Sequence, residues 1–150
     1  MQFTQKETEL LNELKNQEKL CTEKYLKHSS CAKDVQLKNL FSQLAQTEQG
    51  HLESLDQISS GTVPQTSSSS QSAQTFNAKY TNVNTPEKSE DCFLCSDALA
   101  SEKYASNLYD TCVFEFKDQN LRNFLNHIQK EEQQHGKLIY DYMNVNGMYS

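Results

Sequence analysis

The chain has 150 residues, a net charge of −6, only four Gly and two Pro, and no long stretch in which apolar and polar residues alternate. Its length suits one compact domain with a real core, and its composition favours helices over a β-sandwich or barrel. It has no basic run that could follow a phosphate backbone and no run of about 18 apolar residues, which excludes nucleic acid and a bilayer span.

The first residues, Met1 to Glu9, lack a charged start followed by an apolar stretch, so no cleaved signal is expected and synthesis is expected to be cytoplasmic. Five cysteines, Cys21, Cys31, Cys92, Cys95 and Cys112, are an odd and sparse set that fits a reducing compartment with at least one free thiol.

A helical pattern runs from about Thr4 to Cys31, with Leu10, Leu14, Cys21 and Tyr25 on one stripe. A second starts after Asp34, a suitable N-cap, and lines up Leu37, Leu40, Phe41, Leu44, Leu55 and Ile58, so residues 4–58 predict an antiparallel hairpin. Residues 59–90 lose the periodicity and turn to Ser, Thr, Gln and Asn, including Ser67 to Ser70. A third pattern covers about Cys92 to Phe116 and a fourth about Gln119 to Asn144, giving a second hairpin over 92–144. Short turns within each pair and one long connection between them predict a single all-α domain over 1–150, a four-helix bundle with a crossover along its length.

Sliding the chain against itself by 84 residues superposes residues 10–58 on 94–142, with 11 identities in 49 pairs. The identities include Glu18 with Glu102, Tyr25 with Tyr109, Lys33-Asp34 with Lys117-Asp118, Glu48 with Glu132 and His51 with His135. In helices two and four the Glu and His fall inside the apolar stripe and therefore point inward. Counted from Asp34 and Asp118, Glu and Glu-x-x-His on facing helices stand at nearly the same height, the glutamates roughly 21 to 24 Å from the turns at 1.5 Å per residue, so six side chains can meet at mid-bundle.

Four carboxylates in one core would each cost several kcal/mol, or be protonated, unless something neutralised them. Two divalent cations supply that charge, and carboxylate with imidazole suits iron or, alternatively, manganese. Glu48 and Glu132 are expected to bridge, with Glu18, Glu102, His51 and His135 terminal. The alternative is an empty, hydrogen-bonded network with raised carboxylate pKa values. Tyr25 and Tyr109 stand two turns beyond Glu18 and Glu102; they either donate to the ligand carboxylates or are core tyrosines bonded to backbone. Cys21, Thr22, Ala105 and Ser106 are small enough to leave room at the site.

Cys92-x-x-Cys95 lacks the second pair that a zinc or rubredoxin-type knuckle needs and reads as two thiols at the start of helix three. His28 and His127 are expected to be solvated, and Glu7, Glu9, Glu13, Glu53 and Glu131 to be surface charge.

Ser101-Glu102-Lys103-Tyr104, Asn120-Leu121-Arg122, Glu131-Glu132-Gln133-Gln134-His135 and the tail from Tyr140-Asp141-Tyr142-Met143-Asn144 through Gly147-Met148-Tyr149 make the second half resemble the Coat F family of spore coat proteins. Gly-Met-Tyr here stands where that family usually has Gly-Trp-Tyr. The whole chain, through paired Glu plus Glu-x-x-His and a Tyr seven residues after the first Glu, is similar to the wider ferritin-like group of ferritins, bacterioferritins and rubrerythrins. The first resemblance implies spore association, with other coat proteins or a second copy as partners. The second implies O2, peroxide or ferrous-iron chemistry at a di-iron centre, with manganese catalase-like activity open, although no rubredoxin-like module is present to deliver electrons.

Overall fold

A computed structural model describes residues 1–66 and 73–149. It contains four helices, α1 (Gln5–Cys31), α2 (Val35–Ser59), α3 (Pro86–Glu115) and α4 (Gln119–Val145), and no strand among the described residues. Each start carries the side chain that its orphan backbone N–H groups need. Thr4 and Glu7 form a reciprocal capping box on α1, while Asp34 accepts from Gln36 N on α2 and Asp118 from Leu121 N on α4. Thr85 accepts from Lys88 N with Pro86 in the first turn, so α3 begins six residues before the expected Cys92. Cys92 and Cys95 thus lie two turns inside the helix rather than at its start, and all five cysteines are free thiols.

α1 packs along α2 and α3 along α4, giving an all-α four-helix bundle made of two hairpins, with α1 also against α3. The apolar residues fall into two clusters. One, with Tyr25, Leu37, Phe41, Leu44, Ile139 and Tyr142, also receives Phe76 of the crossover. The other, with Leu11, Leu14, Leu55, Phe116, Leu125 and Ile128, receives Val63. Since Val63 and Phe76 touch opposite clusters, the connection between α2 and α3 runs from one end of the bundle towards the other; Ser67 to Ser70 lie outside the described residues. No described helix is long and apolar enough to cross a membrane.

The two ends of the bundle are tied reciprocally. Glu7 of α1, expected as surface charge, is instead 4% exposed and accepts from Lys117 N in the α3–α4 turn at 3.0 Å. Asp91 of α3, fully buried, accepts from Lys33 N and Asp34 N in the α1–α2 turn at 2.8 and 3.0 Å, and from Tyr80 Oη at 2.6 Å. Glu7 and Asp91 are themselves 84 residues apart, as are Lys33 and Lys117, so the repeat extends beyond residue 10.

Candidate metal centre

Glu18, Glu48, His51, Glu102, Glu132 and His135 are all buried and form a polar layer between the two apolar clusters. On α2 the layer is bracketed by Leu44 and Leu55, and on α4 by Ile128 and Ile139, all of them buried, so the helical stripe that builds the core also carries Glu and His inward.

Both imidazoles turn Nδ1 towards the carboxylates. His51 Nδ1 lies 3.0 Å from Glu132 Oε1 and 3.3 Å from Glu48 Oε2. His135 Nδ1 lies 2.9 Å from Glu48 Oε1 and 3.3 Å from Glu102 Oε1. The two rings stack with centroids 6.0 Å apart. Ligand atoms of Glu18, Glu48, His51 and Glu132 all lie within 4.8 Å of one another, and so do those of Glu48, Glu102, Glu132 and His135. These buried groups can hold a metal ion, and both sets contain Glu48 and Glu132.

The tyrosines reach across the pseudo-symmetry rather than along their own helices. Tyr25 Oη donates to Glu102 and Tyr109 Oη donates to Glu18, the latter at 2.5 Å. The geometry therefore takes the carboxylate-donor alternative over the backbone-bonded one. Cys21, Thr22 and Ala105 are buried nearby, and Ser106 is half-buried on a groove of about 490 Å³ between α3 and α4. That groove is lined by Glu102 and Glu132 as well as by Leu99, Lys103, Gly136 and Tyr140.

Five buried side-chain atoms have no hydrogen-bond partner among the described residues: Glu18 Oε2, Glu102 Oε2, Glu132 Oε2, His51 Nε2 and His135 Nε2. Every one belongs to this layer. Buried polar groups without partners each cost about 1–3 kcal/mol, so the unmet hydrogen-bonding capacity of the described buried side chains is concentrated in this one layer.

Within the protein alone, protons must balance the charge. Burial, then the neighbouring Glu132 and Glu48, pushes Glu18 well above 4.5, and burial with Glu132 lifts Glu102 to about 7. Burial also raises Glu48, but the neighbouring Glu18 carboxyl, His135 and His51 outweigh it and hold Glu48 at about 2. In Glu132, the neighbouring Glu102 carboxyl, His135 and His51 likewise overcome burial and the Glu48 charge and lower it. Burial alone would lower both histidines, yet their carboxylate partners raise them well above 6.5. Two neutral carboxyls, two carboxylates and two imidazoliums together carry no net charge.

A sign follows for stability. Glu102 and Glu18 hold their protons in the folded chain at pH values where an unfolded carboxyl has lost its own at 4.5. The contribution of Glu102 is complete below 4.5 and is lost as pH rises through about 7; Glu18 and the two histidines, whose pKa values are also raised, lose theirs in the same direction as pH rises. In chelator, the melting temperature is expected to be lower at about pH 8 than at about pH 5. A melting temperature flat or rising across that window would contradict the proton-filled layer.

Three residues are placed otherwise than expected. Glu131 is not solvated charge: its side chain is 20% exposed, with Oε1 2.7 Å from His127 Nε2 and Oε2 3.6 Å from His51 Nε2. His28 is mostly buried, with Nε2 2.8 Å from Asp97 Oδ2 and its ring edge-on to Phe41. His127 is the half-buried partner of Glu131 rather than a free surface histidine. The i,i+4 spacing of His127 and Glu131 was the one available signal for that pair.

Residues 90–150 match the family model of the Coat F domain. No curated protein and no solved structure shows significant similarity to the chain. The matched segment covers α4 and its tail, whose local roles are now visible. Tyr142 Oη donates to Asp34 at 2.7 Å, and Asn146 Oδ1 accepts from Lys79 N and Tyr80 N at 2.8 and 3.0 Å, fastening the crossover. Gly147 follows α4 at a φ of +63°, a conformation that favours glycine, and Met148 N closes back on Met143 O at 2.9 Å.

Proposed function

We propose that this chain is a spore-coat-type, ferritin-like protein whose core holds two divalent metal ions, iron or alternatively manganese. The observation that carries the reading is the confinement of every buried, unpartnered side-chain atom among the described residues to the six-residue layer. Glu18 and His51 would hold one ion, Glu102 and His135 the other, and Glu48 and Glu132 would bridge, since both four-residue sets include them. Tyr25 and Tyr109 fix Glu102 and Glu18 by hydrogen bonds and limit their rotation. Two divalent cations replace the charge of two carboxyl protons and two imidazolium protons, so uptake releases protons and strengthens as pH rises. The Coat F match supports spore association and coat proteins as partners.

The groove between α3 and α4 favours a second reading, an oxidoreductase acting on O2, peroxide or ferrous iron, or a manganese catalase-like enzyme. A metal pair supplies redox chemistry when bound, and the groove reaches inward as far as the buried Glu102 and Glu132 on that side of the layer. A protein with an empty site and a purely structural coat role is the third possibility.

Elemental analysis of protein purified anaerobically and then supplied with ferrous iron or manganese is expected to return about two equivalents per chain. No stoichiometric metal would reduce the layer to a polar, proton-filled core. With metal bound, peroxide consumption in excess of that by free metal would select the enzymatic reading.

A further inference from the structure

We propose that Glu131 is a positioning residue for His51 and makes the two halves of the centre unequal, an inference that rests on the dinuclear reading above. An imidazole that binds a metal through Nδ1 is neutral and carries its remaining proton on Nε2. That N–H usually goes to a carboxylate or carbonyl, which fixes the ring and raises its strength as a ligand.

His51 is arranged for this. Its Nδ1 faces Glu48, Glu132 and Glu18 at 3.3, 3.0 and 3.7 Å, while Nε2 is buried with no hydrogen-bond partner among the described residues. The nearest carboxylate oxygen among the described residues is Glu131 Oε2 at 3.6 Å, just beyond hydrogen-bond length. Glu131 is itself held from the other side, since Oε1 lies 2.7 Å from His127 Nε2. All three residues line one recess between α2 and α4, beside Pro64 of the crossover.

Among the described residues His135 has no such partner. Its Nε2 is equally buried and unpartnered, but the 84-residue repeat puts Thr47 where Glu131 stands in the other half. The Thr47 hydroxyl is turned to Gln43 O at 3.4 Å. The duplication thus preserved six ligands while only one histidine gained a carboxylate behind it, so the half built on Glu18 and His51 binds its ion more tightly.

The test is titration of the full chain with Co2+ alone, followed by calorimetry and visible absorbance. Two resolved steps are expected. Glu131→Ala should weaken the tighter step by about 10- to 100-fold and leave the weaker step and the stoichiometry in place. Glu131→Gln, whose amide oxygen still accepts a hydrogen bond from Nε2–H, should restore most of the loss. In Zn2+-loaded protein the His51 Nε2–H proton should exchange slowly in the parent chain and in Glu131→Gln, and rapidly in Glu131→Ala, a difference that a merely structural role would not produce. Two Co2+ steps unchanged in Glu131→Ala would overturn this inference alone. A parent chain that binds no Co2+ would overturn the dinuclear reading and this inference with it.

Discussion

Replacing Glu48 and Glu132 together with Ala is expected to remove both bound metal ions and the stabilisation that metal gives. Both residues belong to each of the two four-residue sets, so their loss leaves neither set able to close around an ion. A ligand that binds only the folded chain at a hundredfold excess over its Kd stabilises it by about 2.7 kcal/mol, so two such sites give roughly 5 kcal/mol. In a chain of this size that raises the melting temperature by about 10 to 20 °C. The parent protein should show this shift between chelator and excess Mn2+, and the double variant should show none. Equal shifts in the two proteins would place bound metal elsewhere and remove the layer from consideration.

Asp91→Ala is expected to be the most damaging single change away from that layer. Asp91 is fully buried and accepts from two consecutive backbone N–H groups, Lys33 and Asp34, and from Tyr80 Oη. Removing the carboxylate strands all three donors, at about 3–5 kcal/mol in total, and should lower the melting temperature by roughly 10 °C. Its repeat counterpart Glu7 holds one amide of the opposite turn and one of its own helix start, so Glu7→Ala should cost less. Thermal melts of the two variants in chelator provide the comparison. A loss of under about 1 kcal/mol in Asp91→Ala would mean that the turn finds other acceptors.

Four helices, two hairpins and the six inward-facing residues were legible because each rests on a periodicity, and an exact 84-residue shift repeats the pattern. What escaped were features fixed by single contacts. Thr85-Pro86 is an ordinary helix-start signal, but it lies in a segment whose composition reads as linker, which hid the first two turns of α3. Glu7 and Asp91 would have emerged from carrying the repeat three residues further upstream, although nothing in one carboxylate's sequence position says that it will reach a distant turn. Glu131 sits one residue from a ligand and so points away from the layer's centre. Its proximity to His51 depends on how α2 and α4 lie against each other, which no periodicity encodes. The crossed hydrogen bonds of Tyr25 and Tyr109 are of the same kind, since spacing along α1 and α3 put each tyrosine near the layer but not on the opposite hairpin's glutamate.

Those crossed contacts make each hairpin incomplete without the other. Glu7 fastens the turn of the second hairpin and Asp91 that of the first, while each tyrosine serves its neighbour's glutamate. A single ancestral hairpin pairing with its own copy would satisfy the same set of contacts twice over. Fusion of the two genes would then have added a tether that holds one half near the other at an effective concentration on the order of millimolar. Two halves in one polypeptide need not stay identical, and Thr47 at the repeat position of Glu131 and Leu52 at that of Gly136 are two places where they differ.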